Sequence, residues 1–361
     1  MSGDVERATR DDVVAALEVQ VGWCRMLEAP FTAAIVELVR DNVARGGALA
    51  SLVVPWLGKP LVDALPIRLN GALHCLVRAG RVPDLARFYP TAAERAPWDA
   101  AAAADALEAA AGANRDAIAE FIAHPPQTNE VARSAVLMAG YAEVARVTGR
   151  PLRVFELGAS AGLNLLWDHY AYRIGARTIG PTDAALTLAP EWRGPPLAIG
   201  RLPGVVERRG CDRSPIDLER PGAVDRLIAF VWPDQPERVH RLEAAIRVAR
   251  AVRPPVDEAD AADWLEDRLF RAPAEPAATV VAHSIVWQYF APRTAERARA
   301  AIERAGKEAT LERPVAWLAF EQRRTDAPPD VVLTVWPGGS PRTIAYAHPH
   351  GSFIQWLDPP P

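Results

Sequence analysis

The sequence predicts an α/β protein: a mostly parallel sheet with antiparallel additions, preceded by a helical N-terminal region. Three observations predict it. Residues 10–150 carry apolar side chains at helical spacing. From residue 151, short apolar runs alternate with helical patterns. Between 315 and 356 the apolar runs follow one another too closely for helices to intervene, which suits antiparallel strands. A chain of 361 residues suits two domains, here a helical region 1–150 that covers a substrate cleft and a sheet domain 151–361.

Taken in order, helices are expected over 13–27, 31–44, 61–79, 100–111 and 129–147. The alanine-rich stretch 100–111 favours helix by intrinsic propensity but supplies little packing area. Pro125 and Pro126 make a natural stop before the last of these helices. Residues 153–156 read as a strand, and 163–170 as the start of the following helix. The stretch 171–203 mixes short apolar runs with Pro and Gly and reads as an insertion, a hairpin or a substrate loop. A strand over 205–211 ends at Asp212, and 224–231 and 236–248 are helical. DEADAADWLEDRL, at 257–269, passes from a strand end into a helix. Residues 278–286 form a buried strand and 294–305 a helix, followed by strands at 315–320, 331–335, 343–347 and 352–356.

Composition narrows the function classes. A formal charge of -4 offers no broad attraction to nucleic acid or acidic lipid. The three cysteines, Cys24, Cys75 and Cys211, are far apart and form no metal-binding or redox pair. The polar, acidic start MSGDVERATRDDVV does not resemble a signal peptide, and no apolar run approaches the ~18 residues of a membrane span. A cytoplasmic protein with a small-molecule substrate is the expectation. HPHG at 348–351 supplies two histidines, too few for a metal site, and no metal is expected.

The stretch PLRVFELGASAGLNLLWDHY, at 151–170, carries the most chemical information. An apolar run ends in Glu156; Gly158, Ser160 and Gly162 follow. A βαβ fold makes its tight strand-to-helix turn against a nucleotide-like ligand in this way. Glycine removes Cβ and permits unusual backbone angles, so backbone amides are expected to face the ligand. Glu156 orients them or accepts from the ligand. Ser160 stands where a dinucleotide fingerprint has glycine, and no GKS or GKT ending supports a phosphate loop. GASAG also reads as GxSxG, which would make Ser160 a hydrolytic nucleophile assisted by His283 or His350.

The chain resembles the uncharacterised bacterial DUF2332 family and, more broadly, class I S-adenosylmethionine-dependent methyltransferases. The first resemblance covers most of the chain through PQTNEVARSAVL (126–137), ELGASAGLNLLWDHY (156–170), GCDRSPIDL (210–218), FVWPDQPERV (230–239), HSIVWQYF (283–290) and WPGG (336–339). The second implies a Rossmann-like, methyltransferase-type mixed sheet and S-adenosyl-L-methionine as cofactor. It implies that Glu156, Gly158 and Gly162 form the first cofactor motif, with the cofactor-binding Ser160 departing from its common middle glycine, that Asp212 receives the ribose hydroxyls, and that Asp260 and Ala261 lie near adenine, with Asp263 as the adjacent alternative. Trp264 then stands as a ring wall or as core.

Substrate groups are sought in the polar segments. Asn129, Glu130 and Arg133 form a candidate clamp, Arg133 by forking onto a carboxylate or phosphate; helix capping is the competing role for this segment. His283, near the end of a buried strand, is the candidate base, with Trp287, Gln288 and Tyr289 shaping the acceptor pocket and Glu321 a further acid. Asp168 and Asp234 read as a helix-end acid and a helix cap. The function expected is methyl transfer to a small molecule. The alternatives are a non-catalytic adenosyl-ligand-binding or regulatory protein, and a hydrolase acting through Ser160.

Overall fold

A computed structural model describes residues 7–357 apart from 55, 272, 274 and 325. The chain forms two compact units, one of residues 1–128 with 220–240 and one of 129–219 with 241–361. The expected boundary at 150 therefore falls inside the second unit, because the helix preceding it packs on the sheet.

The first unit is helical: α1 (Arg10–Met26), α2 (Pro30–Ala44), α3 (Ala50–Val53), α4 (Leu65–Arg78), α5 (Pro83–Ala86), α6 (Ala100–Ala113) and α7 (Arg115–Ala123), with Ala223–Ala229 from the later segment. Its helix starts have identifiable causes. Thr9 and Asp12 close a reciprocal capping box on α1. Asp99 accepts from the amides of Ala101 and Ala102 at the start of α6. The N-terminus of α2 has no cap of its own; Asp234, some two hundred residues on, accepts from the amides of Phe31 and Thr32, both at 2.8 Å. Asp234 is thus a cap of a helix distant in sequence.

The second unit is a mixed α/β unit built on one large sheet. Its strands are β1 (Leu152–Leu157), β2 (Ala171–Ile174), β3 (Arg177–Ile179), β4 (Thr187–Leu188), β5 (Glu191–Arg193), β6 (Val205–Asp212), β7 (Val256–Glu258), β8 (Ala278–Ser284), β9 (Val315–Glu321), β10 (Asp330–Trp336), β11 (Arg342–Ala347) and β12 (Phe353–Trp356). The order across the sheet is β5-β12-β11-β10-β9-β8-β1-β6-β7. Strands β7, β6, β1, β8 and β9 are parallel. Strands β10, β11 and β12 follow as an antiparallel meander, with β5 parallel to β12 at the edge. Its helices are α8 (Arg133–Thr148), α11 (Ala261–Arg268) and α12 (Pro292–Lys307); the Ala223–Ala229 helix of the first unit is α9, and α10 (Pro236–Val252) runs from the end of the first unit's later segment into the second unit. Strand β8 is flanked by parallel neighbours and buried at all seven positions, as its unbroken apolar run demands.

One local expectation fails. Residues after the glycine turn form 3₁₀ structure over Asn164–His169, kinked at Leu166, instead of an α-helix. Tertiary packing overrides the helical pattern: Leu165, Leu166 and Trp167 are all fully buried, and the hydroxyls of Tyr170 and Tyr172 donate back to the carbonyls of Leu163 and Trp167. The connection then runs through the small sheet β3-β2-β4 before reaching β6. Among the described residues, no helix is long and apolar enough to cross a membrane.

Candidate functional site

From β1 the large sheet extends through β6 and β7 on one side and through β8 and β9 on the other. A parallel sheet leaves a crevice at such a switch point, outside the carboxyl ends of its strands. Glu156, Asp212, His283, Ser284 and Glu321 all stand at or near those ends.

Glu156 is 2 % exposed, and its Oε2 has no hydrogen-bond partner among the described residues. Burial, reinforced by the charge of Asp212 and opposed by Arg133, pushes its carboxyl up to about 8. At neutral pH it is therefore mostly protonated. The Oγ of Ser160, the hydroxyl of Tyr141 on α8 and the Nε1 of Trp167 are likewise buried without partners. Native interiors leave few such atoms unpaired.

The backbone of the turn is in the opposite condition. The amides of Gly158 and Ala159 donate to the carbonyl of Cys211, and that of Gly162 to Ala159. Ser160 N–H donates to Asp212 Oδ2 at 2.9 Å. Those of Ala161 and Leu163 donate to Asn129 Oδ1, each at 3.2 Å. All six amides from 158 to 163 are thus held by the protein, and the expectation that they face a ligand is corrected. The positive φ of Gly158 (+68°), Ser160 (+55°) and Gly162 (+73°) makes this closed shape possible. Space requires glycine at 158 as well, since a Cβ there would lie 2.4 Å from Val286 Cγ2.

Asp212 stands at the end of β6, accepting Ser160 N–H on one oxygen and Ser214 N–H on the other. Asp260 caps α11 by accepting from Ala262 N–H, and it receives the Thr294 hydroxyl. These bonds outweigh its partial burial and hold its carboxyl below the ordinary value. Ala261 is buried in the apolar cluster that contains Phe155 and Trp264. Trp264 is core: it packs edge-on against Phe155 and donates to Asp257 Oδ2.

The proposed clamp residues touch protein. Asn129 holds the turn, Glu130 accepts from Ala132 N–H, and Arg133 donates to the carbonyls of Pro349 and Ser284. Asp168 forms an ion pair with Arg208.

His283 is 1 % exposed and engaged on both ring nitrogens. Its Nδ1 lies 2.6 Å from Glu321 Oε1, and Trp317 Nε1–H donates to its Nε2 at 2.9 Å. An indole nitrogen only donates, so Nε2 accepts and the proton sits on Nδ1. His283 is thus a neutral imidazole with no lone pair facing a substrate. Ser160 Oγ bonds to no histidine, so the Ser–His pair of a hydrolase is not assembled with His283 or His350. Trp317 escaped the sequence reading because it meets His283 only through the pairing of β8 with β9.

No curated protein and no solved structure matches the chain. Over residues 14–356 it matches the family described as "Uncharacterized protein conserved in bacteria (DUF2332)", and it belongs to that family.

Proposed function

We propose that the carboxyl edge of the sheet holds S-adenosyl-L-methionine and that the protein methylates a small molecule. The observation that carries this reading is the buried carboxyl of Glu156, whose Oε2 lacks a partner among the described residues, with Ser160 Oγ in the same condition. These atoms suit the polar amino-acid end of such a cofactor. Asp212 keeps one lone pair on each oxygen beyond those used by Ser160 and Ser214, which suits a ribose diol. The parallel order β7-β6-β1-β8-β9, with acids at the ends of β1 and β6 and just after β7, supports the same reading. When bound, the cofactor supplies an electrophilic methyl group on a sulfonium.

The roles of the chain's own residues shift accordingly. Asn129 and Arg133 act as positioning residues, one fixing the turn and the other the end of β8. His283, covered at Nε2, supplies no base, so the acceptors favoured are those already deprotonated at neutral pH. Calorimetry with S-adenosylhomocysteine tests the reading. Binding should be measurable, and a folded Glu156→Ala variant should bind at least tenfold more weakly. Absence of heat with both this ligand and the methyl donor rejects it. The same engagement of His283 favours a second reading, a non-catalytic adenosyl-ligand-binding or regulatory protein, distinguished by binding without methylated product.

A further inference from the structure

A cavity of about 590 Å³, in the size range of small-molecule sites, opens on the sheet face between α12 and strands β9 and β10. Three indoles, Trp287, Trp317 and Trp336, stand in its walls, with Arg299, Glu303 and Lys307 of α12. Trp287 and Trp317 stand 5.4 Å apart at 44°. Both are fixed from behind, Trp317 by its bond to His283 and Trp287 by its amide, which donates to Glu321 Oε1. Glu321 Oε1 also receives His283 and the amide of Val286, so this oxygen is engaged inside the wall.

Two further observations point to a ligand. Ile285, which leads into this segment, has φ +49°, a conformation that β-branched residues rarely adopt. Surrounding bonds sustain it, including that from its amide to the Phe320 carbonyl. Such strain collects where a structure presents a functional segment, and here the segment presents Trp287. Secondly, the Arg299 guanidinium lies 5.9 Å from the Trp287 ring and 5.7 Å from that of Trp317, with no carboxylate paired to it among the described residues. It is oriented by the rings while its N–H donors remain available. A ligand cation would have to share those ring faces with Arg299. A ligand anion would meet it directly, with Lys307 further along the same helix; Glu303, between the two in sequence, also lines the cavity.

We propose that this cavity binds a planar aromatic carboxylate, its ring against the indoles and its carboxylate on Arg299. The proposal stands whether or not the carboxyl edge takes a cofactor. The test titrates the full-length chain with 2-naphthoate, with neutral 2-naphthylmethanol and with cationic 2-naphthylmethylamine, following tryptophan fluorescence and heat. Naphthoate should bind at least tenfold more tightly than the alcohol, and the amine more weakly still. Arg299→Gln, at an exposed position that leaves the fold intact, should reduce naphthoate affinity at least tenfold and leave the alcohol unchanged. Equal affinity for the three probes, no effect of Arg299→Gln on naphthoate, or no binding up to about 1 mM would each overturn the proposal.

Discussion

The turn 158–163 and the cavity beneath α12 lie in one unit but are built on opposite plans. In the turn all six backbone amides reach protein oxygens, while the nearby side-chain atoms Glu156 Oε2 and Ser160 Oγ have no partner among the described residues. At the cavity, His283 and Glu321 are bonded to each other and Trp317 to His283, and the open feature is space bounded by indole faces. A ligand at the turn must therefore be recognised by side chains, because the backbone has nothing left to donate. A ligand at the cavity must be recognised by shape and by Arg299. The segment after Ile285 serves both places: Val286 closes over Gly158, and Trp287 walls the cavity.

The largest effect is expected at the contact between them. Gly158→Ala adds a Cβ 2.4 Å from Val286 Cγ2 at a φ of +68°. Overpacking and backbone strain together should cost about 2–4 kcal/mol, read by urea denaturation. A loss below about 1 kcal/mol would show that the turn yields easily and that its closed form is not enforced.

Next is the pH response of Glu156. Its carboxyl titrates near 8 in the folded chain against an ordinary 4.5. Between those values the folded chain holds a proton that the unfolded chain has released, so stability falls as pH rises through that window. The steepest loss is about 1.4 kcal/mol per pH unit. Glu156→Gln removes this contribution, so denaturation of both proteins from about pH 5 to about pH 8 should show wild type losing ground to the variant. Parallel curves would mean that the carboxyl is already ionised and partnered.

Asn129 gives the smallest of the three effects. Asn129→Ala leaves the amides of Ala161 and Leu163 without their acceptor and should cost about 1–3 kcal/mol. Asn129→Asp, which keeps an acceptor oxygen, should recover part of it. If alanine is neutral, the turn holds its shape without that brace, and the contrast with the cavity weakens.

What was legible in the chain is what local physics controls. The buried run at 278–284, the spacing of the terminal strands, and the glycines at 158 and 162 all announce their backbone states through apolar period or loss of Cβ. The acids at the ends of β1 and β6 were visible for the same reason, since a strand end can be read from its own residues. The helix expected after the turn was not realised, because burial of Leu165, Leu166 and Trp167 outweighs a short helical pattern.

Partnership was decided by the assembled fold. Asp234 caps a helix two hundred residues away, and Asn129 serves a turn some thirty residues on. His283 faces Glu321 and Trp317 only because β8 and β9 lie side by side. Side-chain hydrogen bonds are short and directional, so which donor meets which acceptor depends on strand register and helix placement. Residue order alone supplied candidate acids and a candidate base, and tertiary contact made the acid Glu156 a buried, largely protonated carboxyl and the base a bonded, neutral imidazole.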